Sequence, residues 1–164
     1  MQEPTSQHME AVNHVFRYLR RTSGYKIRYS GADQSGLIGY SDADWGENRD
    51  NRRSTTGYVF LMADGAVTWT SRMQKTVARS STEAEYMALS EACSEIAWLT
   101  SLQKEIGYGT TSPTPLVSDN QGGIFLAINP AHDRRLKHVD IRYHFIREYV
   151  EGKRVTIVYI STTT

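Results

Sequence analysis

The chain has 164 residues and a mass of 18.6 kDa, the size of a single domain. Hydrophobic residues make up 39% and aromatic residues 10%, enough to bury a core and to exclude a disordered chain. Nineteen basic against eighteen acidic side chains leave a net charge of +1, which excludes a general polyanion-binding tail but permits a local basic patch. The one cysteine, Cys93, excludes a disulfide framework and a cysteine-based zinc site, and it fits a reducing compartment. No apolar run approaches the ~20 residues needed to span a bilayer, and the polar stretch Met1 to Glu10 lacks the apolar core of a secretory signal. The expectation is a soluble intracellular protein with no membrane partner.

In chain order, the first predicted element is a helix from Ser6 to Thr22, with Met9, Val12, Phe16 and Leu19 at helical spacing, basic residues at its end and Gly24 as a stop. Gly31 to Gly36 reads as a turn-rich connection. From Leu37 the apolar period changes to two, and Leu37–Trp45, Thr56–Met62 and Ala66–Ser71 read as strands. The Ala63-Asp64-Gly65 step between the last two is a hairpin signal. A long helix follows over Glu83–Ile106, its stripe formed by Leu89, Ala92, Ile96, Leu99, Leu102 and Ile106. Pro113 and Pro115 introduce a short strand, Leu116–Ser118. A short helix over Gln121–Ile128, a helix over Leu136–Val150 and a last strand over Val155–Ile160 complete the chain. Three early antiparallel strands, then strands alternating with helices, predict an α/β fold with a mixed five-stranded sheet flanked by helices.

Metal-assisted phosphodiester cleavage needs oxygen ligands, usually Asp and Glu, around two ions ~4 Å apart. Three acids occupy special places: Asp42 in the first strand, Glu85 in the first turn of the long helix, and Asp119 at the end of the short strand. At ~100° per residue, Glu85 lies ~40° from Leu89, at the end of the buried stripe. Glu83 falls toward the opposite side and is expected to face solvent. Competing readings exist for each acid. Ser80-x-x-Glu83 and Thr82-x-x-Glu85 both fit a capping box, Asp119 could cap the helix after it, and Asp44 shares the face of Asp42, so periodicity does not choose between them. Asp33, Asp50 and Asp64 sit in turn contexts.

His132, His138 and His144 are six residues apart, a poor spacing for one helix face and for a zinc site. Trp45, Trp69 and Trp98 are expected in the core or covering the sheet, and Cys93 as a small buried hydrophobe. Residues 131–154 hold seven basic and four acidic side chains, whereas 31–71 hold three basic and six acidic. An acidic cluster beside basic flanks suits metal chemistry on a nucleic-acid backbone.

The run Gly39-Tyr-Ser-Asp-Ala-Asp-Trp45 resembles the opening of the ribonuclease H domain in copia-type (Pseudoviridae) LTR retrotransposon polyproteins. So do Arg53-Ser-Thr-Thr-Gly-Tyr-Val-Phe60, Gln74-Lys-Thr-Val-Ala-Arg-Ser-Ser-Thr-Glu-Ala-Glu-Tyr-Met-Ala-Leu89, Ser118-Asp-Asn-Gln121 and Lys137-His-Val-Asp-Ile-Arg-Tyr-His-Phe-Ile-Arg-Glu148, in that order. The resemblance covers about Gly39 to Ile160. Residues 1–30, with Ala11-Val12 and Arg17-Tyr-Leu19, resemble the helical tail of the reverse transcriptase connection, leaving 37–164 as the ribonuclease H domain of an excised polyprotein piece.

The resemblance implies a ribonuclease H fold and two-metal, endonucleolytic hydrolysis of the RNA strand of RNA–DNA hybrids during reverse transcription, giving a 5′-phosphate and a 3′-hydroxyl. It implies Asp42, Glu85 and Asp119 as catalytic metal ligands for two Mg²⁺ ions, with Mn²⁺ as a substitute, and Gln121 as a minor-groove contact to RNA 2′-hydroxyls. The order Asp, Glu, Asp differs from a retroviral-type integrase of the same fold, whose glutamate comes last. Implied partners are the hybrid and the reverse transcriptase region of the same polyprotein, in a cytoplasmic virus-like particle. The family carries a fourth acid in a C-terminal helix after the last strand. No residue of this sequence matches it, and Asp140 lies in an earlier helix. The expectation is therefore a domain lacking its C-terminal helix that binds metal weakly and cleaves slowly or not at all. The alternative is an inactive module of this fold that binds hybrid or a protein partner.

Overall fold

The computed structural model describes residues 3–31, 36–46, 48, 50–128 and 137–161, with the backbone alone for 137–143. Its elements are α1 (Ser6–Thr22), β1 (Ile38–Asp44), β2 (Thr55–Met62), β3 (Gly65–Met73), α2 (Ser81–Glu105), β4 (Thr114–Ser118), α3 (Gln121–Ile128), α4 (Lys137–Glu151) and β5 (Val155–Tyr159). The predicted order holds throughout, and the bounds differ only at element ends. Strand β4 begins two residues earlier than expected and takes in Pro115.

The five strands form one mixed sheet in the order β3-β2-β1-β4-β5. β1, β2 and β3 make an antiparallel meander, while β4 lies parallel to both β1 and β5. The meander follows from its short connections. The β2–β3 turn is Ala63-Asp64, both at positive φ (54° and 63°), with Met62 paired to Gly65. Two left-handed residues give a hairpin turn whose twist matches the strands. β1 and β4 are separated by α2, which provides the crossover that a parallel pair requires.

α2 is the axis of the core. Tyr86, Leu89, Ala92, Cys93, Ile96 and Leu99 pack with Phe60 of β2, Leu116 of β4, Ala127 of α3, Ile146 of α4 and Val155 of β5. Polar ties fix α2 across the meander: Tyr58 Oη and Thr68 Oγ1 donate to the Glu95 carboxylate, and Arg72 pairs with Glu91 at 3.0 Å. The predicted stripe is buried at four of its six positions. Leu102 and Ile106 are exposed, because the helix runs past the end of the packed core. Burial pushes the Cys93 thiol up to about 12, consistent with an inert core residue.

Two expectations are corrected. Trp45, Trp69 and Trp98 lie 56–62% exposed instead of in the core. Trp69, for example, alternates with Thr68, which points to α2, and so faces away from that helix. Glu83 is buried, not solvent-facing, for reasons given below. The stripe of α1 stays largely open: Val12 is half-buried and no residue of this helix is buried. The residues after α1 are tied down, since Ser30 N–H donates to Ala63 O and Tyr29 Oη to Ala66 O, both at 2.7 Å.

Candidate metal centre

Three separate elements deliver one carboxylate each to the same place. Tyr40 of β1 pairs with Val117 of β4. Two residues further along these parallel strands are Asp42 and Asp119, set side by side where β4 has ended. Helix α2 starts over this edge and carries Glu85. One oxygen from each of Asp42, Glu85 and Asp119 lies within 4.8 Å of the others. Among the described residues this is the one such group of histidine, cysteine or acidic side chains.

The local hydrogen bonds show why these acids are available. Ser80 caps α2, its Oγ accepting from Glu83 N–H at 3.1 Å, and Glu83 Oε2 accepts from Arg79 N–H at 2.7 Å. The 74–80 connection thus folds over the side of α2 that helical periodicity leaves to solvent, and Glu83 is consumed by the cap. Asn120 caps α3 through Oδ1, which accepts from Gly123 N–H at 2.7 Å. Ser80 and Asn120 thus fill the caps at the starts of α2 and α3. Asp44, one pleat beyond Asp42, stays outside the cluster at the exposed end of β1. α3 seats tightly on the start of α2: a Cβ on Gly122 would lie 2.9 Å from Thr82 Oγ1.

The electrostatics are those of crowded acids. Glu85 is 6% exposed, and its carboxyl is pushed up to about 8 by burial first, then by the charges of Asp42 and Asp119. The Ala43 N–H works against the rise. Glu85 Oε2 is buried without a hydrogen-bond partner, a costly state for a carboxylate oxygen. Three hard oxygen donors with one orphaned atom fit a hard divalent cation such as Mg²⁺ or Mn²⁺.

No family model matches the chain. Over 162 residues, 99% of its length, it is 39% identical to the Retrovirus-related Pol polyprotein from transposon RE1 of Arabidopsis thaliana, covering 11% of that protein. Over the same length it is 41% identical to the corresponding polyprotein from transposon TNT 1-94 of Nicotiana tabacum, covering 12%. The chain belongs to the retrotransposon Pol polyprotein family. It spans about a tenth of the length of these relatives. A shorter stretch of 98 residues is 50% identical to Secreted RxLR effector protein 161 of Plasmopara viticola, 60% of this chain and 69% of that protein.

Among solved structures, LC11-RNase H1 isolated from compost superposes with a TM-score of 0.55 at 15% identity, over 77% of this chain and 84% of that one. The same protein in complex with RNA/DNA hybrid gives 0.53, again at 15% identity, over 77% and 86%. A foamy viral protease–reverse transcriptase in complex with double-stranded DNA gives 0.53 at 16% identity, covering 99% of this chain and 25% of that one. At such identities the likeness is one of fold: the Pol segment carries the mixed five-stranded sheet of ribonuclease H.

The remaining sequence candidates fall as follows. Gln121 is exposed at the start of α3, two residues past Asp119. Asp50 and Asp64 occupy turns, as expected, while Asp33 and His132 lie outside the described residues and His144 is exposed. One residue near the centre escaped the sequence reading. Gln74 lies buried beneath the start of α2, and nothing in its local pattern marks a glutamine after a strand as buried.

Proposed function

We propose that this chain is the ribonuclease H domain of a retrotransposon Pol polyprotein and hydrolyses the RNA strand of RNA–DNA hybrids during reverse transcription. The observation that carries the reading is the convergence of Asp42, Glu85 and Asp119 within 4.8 Å on a ribonuclease H fold. These three residues would hold the divalent cations, two Mg²⁺ or Mn²⁺ in their place. Cations bound there supply Lewis-acid activation of water and neutralise charge at the scissile phosphate.

The chain's own groups prepare this. Asp42, exposed on β1, would meet the phosphate side, while Glu85, its carboxyl pushed up to about 8, would close the buried side. Gln121 reads the RNA 2′-hydroxyls from the minor groove, where hybrid and DNA duplex differ. Residues 1–30 form the helical tail of the reverse transcriptase connection. The unpartnered stripe of α1, with Met9, Phe16 and Leu19 exposed, packs against the reverse transcriptase region of the same polyprotein. No described helix is long and apolar enough to cross a membrane, and on family grounds the reaction belongs to a cytoplasmic virus-like particle.

The test is incubation of the chain with a labelled RNA–DNA hybrid in Mg²⁺ and separately in Mn²⁺, beside Asp42→Asn. Cleavage of the RNA strand that disappears in the variant is the expected result. Cleavage that survives the substitution would remove Asp42 from the mechanism. Hybrid binding without cleavage in either metal would leave a binding module of this fold.

A further inference from the structure

Gln74 joins the two elements that carry Asp42 and Glu85. It follows β3 and is 2% exposed, and its neighbours Thr56, Ala84 and Ser54 are wholly buried. Its side-chain Nε2 donates twice, to Thr56 Oγ1 at 3.1 Å and to Ala84 O at 2.9 Å. Its backbone N–H donates to Ser54 O at 2.8 Å. The Ala84 carbonyl accepts only, which fixes the NH₂ group toward it. Ala84 immediately precedes Glu85 in the first turn of α2. Thr56 pairs with Ala43 on β1, and the next pair in the register is Gly57 with Asp42. One primary amide therefore spans the gap between the strand pair that presents Asp42 and the helix that presents Glu85, with both of its donors spent.

Stability by itself does not account for a glutamine here. Its Oε1 is buried with no hydrogen-bond partner, and an orphaned buried acceptor costs stability that an apolar side chain of the same shape would recover. What the amide provides, and a methionine would not, is a fixed distance between β2 and the first turn of α2. Groups behind metal ligands act in this way, since they set ligand position without touching the ion.

We propose that Gln74 is a positioning residue of the metal centre, holding the start of α2 so that Glu85 closes on Asp42 and Asp119. The inference rests on the metal-centre reading above, and its test separates the two. Mn²⁺ affinity is measured by titration calorimetry for the wild type, Gln74→Met, Glu85→Gln and the double variant. Gln74→Met is expected to weaken Mn²⁺ binding about tenfold, with a melting temperature equal to or above that of the wild type. In the Glu85→Gln background the same substitution is expected to change affinity less than about twofold, because the ligand it positions is gone. Equal weakening in both backgrounds, or none in either, would overturn the proposal.

If the wild type binds no Mn²⁺, the metal reading fails first. The positioning claim is then decided by crystal structures without metal, where Gln74→Met must move Glu85 relative to Asp42 and an unmoved Glu85 refutes it. If Gln74→Met does not fold, Thr56→Val, which removes one of the two acceptors, takes its place in the same cycle.

Discussion

Helices α1 and α2 are both long and both carry apolar residues at helical spacing, yet they are held by different physics. α2 buries twelve residues, from Glu83 to Leu99, and every described layer of the fold leans on it. α1 buries none. It is stabilised by its ends: Thr5 Oγ1 accepts from His8 N–H, His8 Nδ1 accepts from Thr5 N–H, and Arg20 and Arg21 complement the dipole at the last turn. Caps and dipole terms amount to a kcal/mol or so each, whereas burying one leucine contributes about 2 kcal/mol. An apolar stripe thus specifies which side of a helix can be buried. Stability comes only when another surface covers it.

The sharpest way to break this contrast is to truncate one apolar residue in each helix and compare. Leu89→Ala, at a position with no exposure, is expected to cost about 3 kcal/mol in urea unfolding. A loss below about 1 kcal/mol would mean that α2 is not the core axis.

A smaller effect comes from the buried acid at the start of the same helix. Glu85 is held at about 8 against 4.5 in the unfolded chain, so the folded state binds its proton more tightly. Its contribution is present in full below pH 4.5 and is lost as pH rises through 8, a change of at most ~5 kcal/mol that solvent screening on the open side of the cluster reduces to roughly 2 kcal/mol. Metal-free stability should therefore fall between pH 5 and 9, and Glu85→Gln should flatten that profile. A profile unchanged by the substitution would show that Glu85 carries no raised affinity for its proton.

The smallest effect is expected in α1, where Phe16→Ala should change stability by less than about 0.5 kcal/mol. The same substitution made with the proposed reverse transcriptase partner added sharpens the comparison, since a larger loss there would show that this partner covers the stripe.

Much of the fold was legible because each element repeats a local signal. Period-two apolar residues marked β1 to β3, the left-handed Ala63-Asp64 turn fell where the hairpin signal stood, and Leu89, Ala92, Ile96 and Leu99 faced the core as spaced. The errors share a cause, which is that periodicity knows only one element at a time. Glu83 was assigned to solvent because nothing in α2 itself reveals that the 74–80 connection folds over that side. Trp45, Trp69 and Trp98 are expected in the core or covering the sheet, yet each is more than half exposed.

The sequence by itself determined the order and kind of the elements, and its motifs singled out Asp42, Glu85 and Asp119. Only the tertiary structure brought these three acids together and left their neighbours outside the cluster, because helix caps and an acidic cluster compete for the same short carboxylates. Ser80 and Asn120 take the caps, the β1–β4 register aligns Asp42 with Asp119, and Gln74 bridges to the turn that carries Glu85. Each is a contact between residues distant in the chain or a choice among adjacent hydrogen-bonding groups, and no single-element pattern encodes either.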